Sequence, residues 1–127
     1  MISYAATTGE VTVTVRPLYL DEPSSAISQR FKFGYHVQIG NHGDEEVQII
    51  RNYWYIHDAR GRTQENEQPE KSSRQPIIEP GESHEYGDYC EISTFEGTLE
   101  GSFLLERSNG ERFRAHVPLV ALRALAN

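Results

Sequence analysis

Five histidines, one cysteine and a scattered set of arginines and tyrosines are the side chains through which this chain could do chemistry. His36, His42, His57, His84 and His116 show no HxH or HxxxH spacing and no CxxC accompanies them, so no zinc-type ligand set can be read. His36 and His116 fall on the polar phases of their segments and are the two that one sheet could bring together; unrelated surface histidines are the competing reading. His57-Asp58 shares only its letters with metal-phosphohydrolase dipeptides, and a strand-to-turn role for Asp58 fits its position better. Cys90 has no base beside it, which predicts a buried or inert thiol. No serine sits in a nucleophile-elbow pattern. These residues predict a protein that is not an enzyme and uses neither cofactor nor metal. What remains is recognition. Arg60 and Arg62 flank Gly61 and, with Arg74, could hold an anion. Tyr53, Tyr55, Tyr86 and Tyr89 are of the type enriched at protein interfaces, with core packing competing for at least two of them. Arg16, Lys32, Arg112 and Arg114 lie on solvent phases and read as a solvated face.

The elements that must position these residues are strands. VQIIRNYWYIHD, residues 47–58, holds the only tryptophan, and eight of its twelve residues are Val, Ile, Tyr, Trp or His. Its apolar phase switches from Val47 and Ile49 to Ile50, Trp54 and Ile56, so the strand either has a bulge near Arg51 or is covered on both faces. Burial of Trp54, about 200 Å² at roughly 25 cal/mol per Å², gives an upper bound of about 5 kcal/mol, comparable to the net stability of a small domain. Val11, Val13 and Val15 alternate with Thr12, Thr14 and Arg16 in a strand over 10–20, with Pro17 at an edge or a bulge. Residues 21–29 read as a polar loop. Phe31, Phe33, Tyr35, Val37 and Ile39 give the strongest period-two signal, and Asn41-His42-Gly43-Asp44 predicts a hairpin leading into the central strand. Residues 59–61 form a further turn. Residues 62–76 lack an apolar pattern and read as an irregular surface connection with one short strand at its start, a length often associated with function. Strands over 83–92 and 97–105, a hairpin turn at Asn109-Gly110, a last strand through Phe113, Ala115 and Val117, and a short helical turn in 119–125 complete the reading. Six or seven antiparallel strands without a long helix predict one all-β domain, a β-sandwich spanning residues 1–127.

Composition narrows the function classes. A chain of 127 residues can bury a core without disulfide or metal, and one cysteine points to a reducing compartment. No apolar run reaches the roughly 20 residues of a membrane span, and the first ten residues lack the regions of a signal peptide, so a cytoplasmic protein without membrane contact is expected. Nineteen acidic against twelve basic residues leave a net charge of −7, which argues against nucleic acid as a partner.

The order of motifs is also informative. FKFGYHVQIGNHG, then VQII with Trp54 and Asp58 followed by Gly61, then QPIIEPGESHEYGDYC, GTLEGSF and GERFRAHVP together resemble the ApaG family over nearly the whole chain. The most specific parts are Gln75-Pro76 leading to Pro80-Gly81-Glu82 and Tyr86, and Gly97-Thr98 leading to Gly101. The resemblance implies a fibronectin type III or immunoglobulin-like β-sandwich of two antiparallel sheets. It also implies association with cobalt resistance and magnesium efflux, and occurrence as an appended interaction module. Many members carry a GxGxxG loop proposed to bind pyrophosphate. Collinear counting places its glycines at Gln68, Glu70 and Ser73 here, so the phosphate cradle is missing. The arginine usual two residues before the tryptophan is Asn52.

The resulting expectation is a non-enzymatic protein-binding module with an unidentified protein partner, monomeric or a weak homodimer through an edge strand. Its candidate surface comprises Arg60, Arg62, Arg74, Gln75, Tyr86 and Tyr89, on an exposed sheet face or on the 62–76 connection. The alternative is a protein that binds or senses a divalent ion or a polyphosphate nucleotide. Hydrolysis of a phosphoanhydride ranks third.

Overall fold

Alternation in sequence becomes alternation in burial. Phe31, Phe33, Tyr35, Val37 and Ile39 are buried, while Lys32, His36 and Gln38 between them are partly exposed. The computed structural model describes residues 2–25, 27–69 and 75–124, with the backbone alone at 22–24 and 67–69. Among these, nine strands occur and no helix: β1 (Tyr4–Thr8), β2 (Val11–Ser25), β3 (Arg30–Asn41), β4 (Val47–Asp58), β5 (Thr63–Pro69), β6 (Ile77–Ile78), β7 (Ser83–Ile92), β8 (Glu96–Arg107) and β9 (Arg112–Arg123). They form two antiparallel sheets, one in the order β1-β2-β3-β7 and the other β5-β4-β8-β9, with β6 paired to the start of β4. The two sheets make a β-sandwich whose inner faces bury Val13, Phe33 and Ile39 from the first sheet and Trp54, Leu99 and Phe103 from the second.

The phase switch in β4 is a bulge. Ile49 pairs with Leu105 and Arg51 with Leu104, so Ile50 is the extra residue, and Val47, Ile49, Trp54 and Ile56 are all buried as a result. Gln75 and Pro76 hold the bulge from its open side. The Gln75 Nε2 donates to the Ile50 carbonyl at 3.1 Å, the Ile49 N–H donates to the Pro76 carbonyl at 2.8 Å, and Gln48 Nε2 donates to the Gln75 carbonyl at 3.1 Å. Trp54, 3% exposed, then stands between the sheets, its ring 5.1 Å from Tyr35 and 5.8 Å from Phe103.

Several expectations change. Asn41-His42-Gly43-Asp44 is not a hairpin, because β3 pairs with β2 and β7 while β4 pairs with β5, β6 and β8; the turn carries the chain from one sheet to the other. Asn41, 1% exposed, pins this crossover. Its Nδ2 donates to the carbonyls of Glu45 (2.8 Å) and Ile78 (3.0 Å), and its Oδ1 accepts from the Gly43 N–H at 3.0 Å. The polar loop expected over 21–29 is shorter, since β2 continues to Ser25 after a register shift beyond Leu20. The short strand expected at the start of the 62–76 connection is present as β5, seven residues lying along β4 from His57 to Arg51, so less of the segment is irregular. The helical turn expected over 119–125 is strand through Arg123. There the partner of Gly101 is Val117 and that of Leu99 is Val120, so β9 takes one extra residue around Pro118 and Leu119. Pro17, which donates no hydrogen bond, lies just past Val15, the last residue that β1 covers, where β2 has an open side.

One contact between β4 and β8 tolerates no side chain. A Cβ on Gly101 would lie 2.0 Å from the Tyr53 carbonyl oxygen, and one on Gly97 would lie 2.4 Å from the His57 carbonyl oxygen. Gly101→Ala should therefore force β8 away from β4 and destabilise the fold by about 1–3 kcal/mol, the usual cost of overpacking a tight core. Thermal unfolding checks this as a fall of about 4 °C in midpoint per kcal/mol.

Candidate functional site

Asp58 ends β4 and organises the turn that presents two of the candidate arginines. Its Oδ1 accepts from the backbone N–H groups of Arg60 and Arg62, each at 2.9 Å, and its Oδ2 accepts from the Ser93 hydroxyl at 3.3 Å. Gly61 takes φ +83° to close the loop, as its residue type allows. The backbone donors at this tip are thus turned onto a carboxylate of the chain itself, while the Arg60 and Arg62 residues stay exposed. The Arg62 N–H foremost, with the Arg60 N–H and the Ser93 hydroxyl, holds the Asp58 carboxyl below the usual carboxylate range.

The other candidates separate. Gln75 faces the β4 bulge and Tyr86 lies on the inner phase of β7, its ring 6.3 Å from that of Phe103. Arg74 lies outside the described residues. Tyr89 is 71% exposed on the outer face of the first sheet, on a different element from Arg60 and Arg62. The two histidines that were to meet across one sheet do not: His36 belongs to β3 and His116 to β9, on the outer phases of opposite sheets. Cys90 is buried on the inner phase of β7, and burial pushes its thiol up to about 12, with the Asp88 charge adding to the shift. No group of three or more His, Cys, Asp or Glu side chains among the described residues is placed to hold a metal ion. No helix there is long and apolar enough to cross a membrane.

Around Tyr89 the register assembles a surface that periodicity alone does not reveal. Leu18 of β2 pairs with Gly34 of β3, which pairs with Tyr89 of β7; the adjacent row is Arg16, His36 and Gly87. With two glycines in six positions, the sheet face is hollowed into an open groove of about 510 Å³, lined by Leu18, Leu20 and Tyr89 along its walls and by Arg16 and His36 at one end. Leu18 is 44% exposed there. Arg16 is exposed and takes no part in the ion pairs that engage Arg30, Arg107, Arg112 and Arg123.

The ApaG domain family matches residues 21–107. Protein ApaG of Methylorubrum populi is 40% identical over 119 residues, covering 94% of this chain and 92% of that protein. Protein ApaG of Agrobacterium fabrum is 37% identical over the same shares. This chain belongs to the ApaG family. Among solved structures, a Bordetella pertussis protein assigned as ApaA superposes with a TM-score of 0.87 at 32% identity, covering 92% of this chain and 95% of that one. Residues that carry the ApaG resemblance have architectural work here. Gln75-Pro76 grips the β4 bulge, Gly81 at φ +80° turns the chain into β7, and Gly97 and Gly101 allow β8 against β4. Of the three positions where the resemblance places the GxGxxG glycines, Gln68 lies in β5 opposite Asn52, while Glu70 and Ser73 lie outside the described residues.

Two expected outcomes follow from the titrating groups. Asp58 has its folded value lowered, so its contribution to stability is fully present above the unfolded value near 4 and is lost as pH falls through the folded value. Asp58→Asn should lower the thermal midpoint at pH 7, and the gap to the wild type should narrow steadily below about pH 4. Cys90 should resist Ellman's reagent in the native protein at pH 8 and react within minutes once denaturant is added; rapid native labelling would contradict its buried, protonated state.

Proposed function

We propose that this ApaG-family chain is a non-catalytic protein-binding domain and that the outer face of its β1-β2-β3-β7 sheet is the recognition surface. The observation that carries the reading is the pair Leu18 and Tyr89, two large apolar side chains left exposed across one row of a sheet face. Isolated exposed apolar residues are ordinary, but a rimmed apolar patch marks a contact site. Tyrosine and arginine together are the types that dominate interface energetics. The chemistry needed for catalysis is dispersed instead: the one thiol is buried and protonated, and His36 and His116 are on opposite faces. A module of this kind would serve the cobalt resistance and magnesium efflux associated with the family by bringing other proteins together rather than by moving ions itself.

The test is affinity capture from a cell extract with the tagged full chain, run beside a Leu18→Glu/Tyr89→Ala double variant. A protein retained in stoichiometric amount by the wild type and lost by the variant is expected. Identical eluates from the two would count against this surface, and a partner lost only in Arg60→Glu/Arg62→Glu would move recognition to the turn after β4.

A further inference from the structure

The glycines of this chain divide into two kinds. Gly97 and Gly101 are required by packing, and Gly9, Gly61, Gly81 and Gly110 by positive φ. A Cβ on Gly43 would press on the Glu10 side chain; Gly40 is required by neither, and nor are the two that border Tyr89 on the outer face, Gly34 and Gly87. Neither Gly34 nor Gly87 has a positive φ, and a Cβ on Gly34 would meet nothing closer than the Tyr89 ring at 3.8 Å, while one on Gly87 would meet only the Tyr35 carbonyl oxygen at 3.7 Å. Glycine inside a strand costs roughly 0.5–1 kcal/mol relative to alanine and leaves a site where another chain can come close. Here two of them sit diagonally on one face, Gly34 opposite Tyr89 and Gly87 opposite His36, and together they floor the groove. The Tyr89 ring lies 3.8 Å from where a Gly34 Cβ would stand and helps to bury that residue, while Gly87 stays exposed.

Resting on the protein-binding reading above, we infer that this groove receives an extended segment of a partner protein bearing an apolar side chain and, two residues away, a carboxylate. The apolar side chain seats over Gly34 between Leu18 and Tyr89. Along β3 the next outward position is His36, about 7 Å further on, the same spacing as between alternate side chains of an extended peptide. That row also contains Arg16, which pairs with His36 across β2 and β3, is exposed, and is not drawn into the ion pairs of the other arginines. The carboxylate therefore meets a guanidinium and an imidazole N–H. Asp88 also lines the groove, its Oδ1 accepting from the Tyr89 N–H at 2.8 Å. A protein segment fits better than an enclosed small ligand, since the groove lies open on the sheet and Tyr89, one of its walls, is 71% exposed. On a chain of net charge −7, Arg16 is the cationic group that the groove offers to a partner carboxylate.

The test is selection of a random dodecapeptide phage library on the full chain, followed by fluorescence polarisation of the selected peptides on three proteins. These are the wild type, Arg16→Glu and Gly34→Val. Peptides with an apolar residue two positions from Asp or Glu should be enriched, and each variant should weaken them at least tenfold. Gly34→Val fills the slot, and Gly34→Ala, whose Cβ meets nothing closer than the Tyr89 ring at 3.8 Å, replaces it if the valine γ-methyls press on that ring and lower the thermal midpoint. Selected peptides that lack the carboxylate, or that bind both variants as well as wild type, would overturn the assignment while leaving protein binding intact. A library that yields no binder at all, together with identical eluates in the capture experiment, would overturn both. Concentration-dependent amide shifts at Leu18, Gly34 and Tyr89 in the protein alone would assign the groove to a second copy and likewise overturn it.

Discussion

The bulge at Ile50 is the constraint on which the rest of this sandwich depends. A regular strand over 47–58 would have to choose between burying Val47 with Ile49 and burying Trp54 with Ile56, since a shift of one residue moves every side chain to the other face. One extra residue removes the conflict, and all four are buried. The cost of a bulge is an interrupted ladder, and the groups it frees are taken up by Gln75 and Pro76. Gln75 and Pro76 are thereby fixed to β4, which in turn places β6, the crossover held by Asn41, and the entry to β7. Trp54 then links the sheets through Tyr35 and Phe103.

Closure is asymmetric. On one side β1 and β2 lie against β9, with the His116 N–H donating to Thr8 Oγ1 at 3.1 Å. On the other side β7 and β5 are both edge strands, and the bridge seen there is Gln64 Nε2 donating to the Glu91 carbonyl at 2.8 Å. Exposed edges invite pairing with other chains unless they are blocked. Asp88 occupies the Tyr89 N–H and Gln64 occupies the Glu91 carbonyl, so two of the groups on the β7 edge are already engaged. This edge is poorly suited to strand addition, which directs attention from the rim of the sheet to its face.

Much of the fold was legible because most strands bury one face, and period-two patterns in 11–20, 31–39, 97–105 and 113–117 record it directly. The phase switch in 47–58 admitted a bulge or a strand covered on both faces, and the register with β8 decides for the bulge. What escaped had no such record. β1 is a short edge strand of mostly Ala and Thr with no apolar alternation to read, and of β5, rich in Gln and Glu, only a short strand at the start of 62–76 was legible. The continuation of β9 was hidden by Pro118 and Leu119, whose extra residue breaks the phase and mimics the end of a strand. The Asn41 turn has hairpin chemistry, and the signals that distinguish a crossover, the carbonyls of Glu45 and Ile78, are not visible in local sequence. Site residues followed the same division. Tyr89 could be nominated by type and Arg16 by phase, but Leu18, Gly34 and Gly87 become neighbours only through the registers of β2, β3 and β7, and a glycine within an alternating strand carries no mark of its own.

The two outer faces of the sandwich show why one of them stands out. On the β5-β4-β8-β9 face the polar and aromatic groups satisfy one another. Arg114 stacks 4.2 Å over the Tyr53 ring and donates to the Ser102 hydroxyl, His57 lies between Thr63 and Glu100, and Arg112 pairs with Glu106. Each such pair is worth little in stability, since exposed ion pairs contribute about 0–1 kcal/mol. Their collective effect is to engage much of the charge on that face, where Leu119 is 61% exposed and Tyr55 and His116 line a pocket of about 300 Å³. The β1-β2-β3-β7 face has the opposite character: a tyrosine and a leucine stand apart over a glycine, with an exposed guanidinium at the end of the slot. A surface selected only for solubility would fill the gap and pair the charge. Groups left open together, on a sheet rigid enough to hold their spacing, are what recognition requires.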